Sequence, residues 1–156
     1  MAIKVGNKGV ANIFIGSTPV KSVYKGNTKI WASEGWHTIF DTETTWTGNK
    51  TSTTVIASTT NESKKFRITY KAIGEYVTVY QHGSKSSNTK YTDTFEISDT
   101  GTISMIYTGY DNIMSGDESK VTILYNVSTK EFSVKLKKLG NTTNASVTIY
   151  KIEQFF

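Results

Sequence analysis

The side chains able to do chemistry in this chain are few, and their spacing argues against catalysis. Two histidines are present, His37 and His82, in 156 residues. A zinc site needs converging ligands, and neither His-x-His nor His-x-x-x-His occurs. His37, between Trp36 and Thr38, is expected to point outward from a strand, and His82 to sit in a turn before "GSKSSN". Cysteine is absent, which removes disulfides and thiolate ligands. Three carboxylate pairs have the composition of a glycosidase acid and base: Asp41 with Glu43, Asp93 with Glu96, and Asp117 with Glu118. Asp41 and Glu43 have same-face spacing, but at a loop edge they face solvent. Asp117 and Glu118, adjacent in an extended chain, point to opposite faces. No serine lies in a Gly-x-Ser-x-Gly turn. The run "YDNIMSGDES" gathers Asp111, Asn112, Ser115, Asp117 and Glu118, yet its positions do not fit a twelve-residue calcium loop. No catalytic residue, metal or cofactor is expected, and the chain reads as a non-enzyme.

Aromatic residues offer a different chemistry. Trp36 and Trp46 bracket the acidic, hydroxyl-rich "DTETT". Rings beside carboxylates and hydroxyls hold sugars, because the ring covers a C–H face while polar groups take the hydroxyls. If both tryptophans lie at one end of the fold, Trp36, Asp41, Glu43 and Trp46 form a shallow glycan site. The competing expectation is that Trp36 begins a core strand and Trp46 caps the bottom of the fold, with no ligand.

Such residues must be positioned by strands. Threonine occurs 25 times and aromatics make 12% of the chain, while proline occurs once. That composition suits pleated, half-buried surfaces. Candidate strands are 36–40, 53–58, 65–71, 76–81, 92–98, 102–107, 120–126, 131–137 and 145–152. "KFRITYK" places Phe66, Ile68 and Tyr70 on one face, and "EFSVKLKK" does the same with Phe132, Val134 and Leu136. In "SVTIYKI" the alternation groups Val147, Ile149 and Lys151 against Thr148, Tyr150 and Ile152. The spacers "TGNKTS", "HGSKSSN", "SDTG", "SGDES" and "LGNTTN" are turn-rich. Only a short turn at 110–114 suggests helix. The expected fold is all-β, an antiparallel jelly-roll-like sandwich over 35–156, with a closed barrel as the second choice.

The first 34 residues read differently. Glycines at Gly6, Gly16 and Gly26 recur every ten residues, each followed by a turn and a short apolar run. Such short ribbons are marginal alone in water and need a surface to lie against. "ASEG", residues 32–35, reads as the linker. Residues 1–34 carry five lysines against Glu34, a net of +4 within the whole-chain +5. The lysines form no run and Arg67 is the one arginine, so a solvated face is expected in preference to nucleic-acid binding. No apolar run reaches the roughly 18 residues of a membrane helix. Met1 leads straight into the repeat, with no secretion signal expected.

The stretch "IGSTPVKSVYKGNTKIWAS", residues 15–33, resembles an N-terminal element of bacteriophage virion proteins of the tail, baseplate, head-fibre and capsid-associated kinds. The shared pattern is a Gly-Ser/Thr turn, Val-Lys-x-Val-Tyr, a second glycine and an apolar residue before Trp. The first unit departs from it, with the small residues Gly9 and Ala11. The resemblance covers a fifth of the chain. It implies a virion structural protein, made in the bacterial cytoplasm, whose module at 1–34 docks on other virion proteins through Val20, Val23, Tyr24, Ile30 and Trp31. It also implies a homo-oligomer, a trimer by preference, and an outward domain serving as capsid or tail decoration or fibre, able to meet a host-surface glycan. The other reading left by the sequence is a soluble carbohydrate-binding module.

Overall fold

The computed structural model describes the chain apart from residues 1–3, 6–7, 10–12, 16, 21, 26–27, 33, 49–51, 60–62, 113, 115 and 141–142, and apart from the side chains of 4–5, 8–9, 19, 25 and 28–32. The ten-residue repeat becomes three antiparallel hairpins. They are β1 (Lys4–Val5) with β2 (Lys8–Gly9), β3 (Ile13–Ile15) with β4 (Thr18–Val20), and β5 (Ser22–Lys25) with β6 (Thr28–Ala32). Each strand pairs only with its own hairpin partner among the described residues.

From Trp36 onward the chain shuttles between two sheets. β7 (Trp36–Phe40) and β8 (Thr44–Thr47) open the first, and β9 (Ser52–Ser58) crosses to the second. β10 (Lys65–Ile73) returns. β11 (Tyr76–Val79) and β12 (Gly83–Ser84) cross again, and β13 (Lys90–Glu96) comes back. β14 (Thr102–Asn112), β15 (Asp117–Asn126) and β16 (Glu131–Lys138) form a meander in the second sheet, and β17 (Ser146–Phe155) closes the first. The resulting orders are β7–β17–β10–β13 and β9–β16–β15–β14–β11–β12. This is jelly-roll connectivity, with a three-strand meander where a single strand would lie. The protein is an all-β antiparallel sandwich of the jelly-roll kind, and no helix occurs among the described residues.

Alternation places the core. Phe66, Ile68, Tyr70 and Ala72 of β10 are buried, and so are Phe132, Val134 and Leu136 of β16. The sheets meet through rings: Phe66 lies 4.7 Å from Tyr125 and edge-on, at 5.1 Å, to Phe132. Fully burying side chains of this size contributes about 1.5–3 kcal/mol each before entropy is counted.

Three local expectations are corrected. The alternation read in "SVTIYKI" fails at Tyr150: Thr69 pairs with Lys151 but Tyr70 with Ile149, so Tyr150 is a bulge. Ile152 therefore joins Ile149 and Val147 in the core, while Lys151 turns outward beside Glu153. Residues 110–112 extend β14 in place of the expected helical turn, because their pairing with 117–119 continues the β14–β15 ladder. "TTWT" adds an unforeseen strand, β8, which follows β7 along the same edge of β17.

Gly35 exchanges backbone hydrogen bonds with Phe156, at 2.7 and 3.1 Å, which ties the start of the sandwich to its last residue. Gly74 packs without a side chain between strands: an added Cβ would lie 2.3 Å from Thr108 Oγ1 and 2.8 Å from the Gly109 carbonyl oxygen.

Candidate functional site

The outer face of the first sheet collects the most polar chemistry around a ring. β10 turns Lys65, Arg67, Thr69 and Lys71 outward, opposite the buried Phe66, Ile68 and Tyr70. Register sets Arg67 beside Glu153 and Lys65 beside Glu96. Arg67 Nε donates to Glu153 Oε2 at 2.8 Å, and Lys151 Nζ to Oε1 at 2.7 Å. Glu153 is 6% exposed, so both partners compensate a desolvated carboxylate. The Arg67 hydrogen bond, opposed by burial and reinforced by Lys151, holds its carboxyl below the usual range. Above this pair, the Arg67 guanidinium stands 4.5 Å from the Trp36 ring. Trp36 meets Phe155 edge-on at 5.4 Å, and Lys65 lies 5.5 Å from the Phe155 ring.

Lys65 and Glu96 also bridge, at 3.1 Å, in the wall of an open groove of about 410 Å³. Ser63, Lys64, Ile97 and Ser98 complete its lining. Hydroxyls, an ammonium–carboxylate pair and the edge of Ile97 set polar and apolar surface side by side in it. The face continues as hydroxyl pairs, Thr69 with Thr92 at 3.0 Å and Thr45 with Thr148 at 2.8 Å.

The structure does not bring the four sequence-predicted glycan residues together. Trp36 pairs with Phe155 and Trp46 with Val147, eight residues apart on β17. At roughly 3.3 Å per residue that is about 25 Å. Trp46 packs on Phe40, at 6.4 Å between centroids, and against the core. Asp41 and Glu43 lie exposed in the 41–43 break between β7 and β8. His37 departs from its outward expectation: it is half-buried and stacks on Phe156 at 4.0 Å.

Of the docking residues, Tyr24 is 55% exposed, while Val20 and Val23 are half-buried. The side chains of Ile30 and Trp31 lie outside the described residues. Phe14 at 58% and Ile15 at 77% add exposed apolar surface on the neighbouring hairpin.

Two further clusters escaped the sequence reading. Asp93 is buried within β13. It accepts from Tyr70 Oη at 2.7 Å and Lys85 Nζ at 3.1 Å, and His82 Nδ1 stands 3.6 Å away. Burial first, then this hydrogen bond, raises the Tyr70 phenol above its ordinary range. The Lys85 contact ties β13 to the loop after β12. On the outer face of the second sheet, Tyr76 and Tyr107 stack at 5.8 Å, with Tyr76 lying across Gly109, where a Cβ would meet its Oη at 2.7 Å. Lys120 bridges to Glu118 at 2.5 Å and to Asp111 at 3.7 Å beside them. A hydrogen bond to Tyr107 raises the Lys120 ammonium, against its partial burial. Local spacing joins Glu118 to Lys120, but it does not assemble either cluster. Asp93 meets Tyr70 and Tyr76 meets Gly109 only through strand pairing, so no window along the chain would have found them.

Among the described residues no cluster of three or more acidic or histidine side chains could hold a metal ion. No protein-family model, curated protein or solved structure matches this chain, so the functional reading rests on its residues and geometry.

Proposed function

We propose that this chain is a non-enzymatic structural protein of a phage particle. Residues 1–34 attach it to other virion proteins, and the jelly roll is displayed outward as decoration or fibre. One observation carries this reading. Three successive hairpins pair only with themselves among the described residues and expose Phe14, Ile15 and Tyr24, beside a sandwich that fills its own core. Hairpins of this size are marginal in water, so a surface that buries those side chains stabilises them. The resemblance of residues 15–33 to virion N-terminal elements supports the same surface. Mass spectrometry of purified particles tests the reading: the chain should be present at stoichiometric copy number. Its absence from intact particles would remove it.

The groove beside Lys65 and Glu96, with the Trp36 and Arg67 face next to it, favours a second reading, a carbohydrate-binding module. The same surface serves host-glycan contact if the domain is displayed. Titration with host cell-wall polysaccharide should perturb Trp36 fluorescence and spare Trp46. A flat titration at millimolar repeat-unit concentration would remove glycan binding.

A further inference from the structure

The two sheets have four edges, and three of them are blunted against pairing. The β7–β8 edge is broken at 41–43, where Asp41 and Glu43 are exposed. β12 is two residues long. β13 carries Lys90 and Glu96, with the buried Asp93 facing inward between them. Breaks, short strands and inward charges are the devices by which sheet edges avoid other chains.

β9 has none of these three, and its one irregularity is a bulge. Its sequence is Ser-Thr-Thr-Val-Ile-Ala-Ser, without charge, proline or glycine. One side pairs with β16, and no strand pairs with the other among the described residues. The register shift leaves Ile56 unpaired, so Ser52–Val55 is the regular run. All four of those residues are exposed, Val55 at 55%. A row of backbone donors and acceptors flanked by β-branched side chains is a template for strand addition.

We propose that β9 pairs antiparallel with the β9 of a second copy of this chain, centred on Thr54. An uncharged strand does not repel its own copy, and antiparallel pairing about a two-fold axis needs nothing but the strand itself. Opposed residues in such a pair share a face, so a register centred on Thr54 sets Val55 opposite Thr53 of the copy and Thr54 opposite Thr54. Hydroxyl and β-branched cross-strand pairs of this kind are stabilising. Pairing joins the two six-stranded sheets into one continuous sheet and makes the unit of assembly a two-fold pair in place of a trimer.

Sedimentation velocity of the full chain over micromolar to millimolar concentration tests this. Wild type should show a monomer–dimer equilibrium. Thr54→Lys puts two ammonium groups opposite each other, and the dimer should weaken about tenfold or more while circular dichroism stays unchanged. The chain holds no cysteine. Thr54→Cys should therefore form one disulfide-linked dimer on mild oxidation, since opposed residues in antiparallel pairs lie within bridging distance. Wild type that stays monomeric throughout, an oligomer that Thr54→Lys leaves intact, or a Thr54→Cys chain that does not cross-link would each overturn the proposal.

Discussion

Trp36 and Trp46 stand at opposite ends of one sheet edge, facing Phe155 and Val147 of the same strand. Ten residues of sequence suggested a shared site, and the pairing of β7 and β8 along β17 separates them by about 25 Å. Their contributions to stability should therefore add. Trp46→Ala removes a ring packed on Phe40 and the core, and should cost about 2–3 kcal/mol. Trp36→Ala loses the Phe155 and Arg67 contacts and should cost about 1–2 kcal/mol. Urea denaturation of the double variant should match the sum within about 0.5 kcal/mol. A larger coupling would mean that the two rings share an environment.

Glu153 predicts a pH dependence of stability. Its folded pKa is lowered, chiefly by the Arg67 hydrogen bond. The stabilisation is then complete above the unfolded carboxylate value of about 4.3 and disappears as the pH falls through the lower folded value. Glu153→Gln should melt below wild type at neutral pH, and the two melting temperatures should converge in acid. Curves that stay apart by the same interval at all pH values would assign the loss to packing.

Gly74→Ala should be among the most damaging single-methyl additions. The new Cβ meets backbone atoms of Gly109 at 2.8 and 2.9 Å, which cannot swing aside. Overpacking of this kind costs about 1–3 kcal/mol. Gly109→Ala meets mainly the movable end of Tyr76. It should cost less and shift the near-ultraviolet signal of the Tyr76–Tyr107 stack. Equal losses for both, measured by urea denaturation, would contradict this ranking.

Tyr70→Phe keeps the buried ring and removes the hydroxyl donated to Asp93. Lys85 remains on the carboxylate, so the loss should be about 1–3 kcal/mol and not a failure to fold. Asp93→Ala strands the Tyr70 hydroxyl and Lys85 together and should cost more. Thermal melts of the two variants give the order directly, and a milder Asp93→Ala would show that the cluster is replaceable.

The fold was legible where period-two alternation was clean. Phe66, Ile68 and Tyr70, and likewise Phe132, Val134 and Leu136, face the core as their spacing requires. Bulges were not legible. Tyr150 looks like any strand residue, and only its pairing shows that the alternation breaks there. The Arg67–Glu153 pair was hidden for a related reason, since 86 residues separate the partners and register alone joins them. The hairpin repeat was visible because the paired strands are neighbours in sequence, so each pairing forms without reference to distant chain.

Removal of residues 1–34 tests the attachment account most directly. Copy number should be compared between particles assembled with the full chain and with residues 35–156, alongside Tyr24→Ala in the full chain. The 35–156 domain should fold, with its β-sheet circular dichroism retained, and be missing from particles, and Tyr24→Ala should lower occupancy. Incorporation of 35–156 at full occupancy would contradict it.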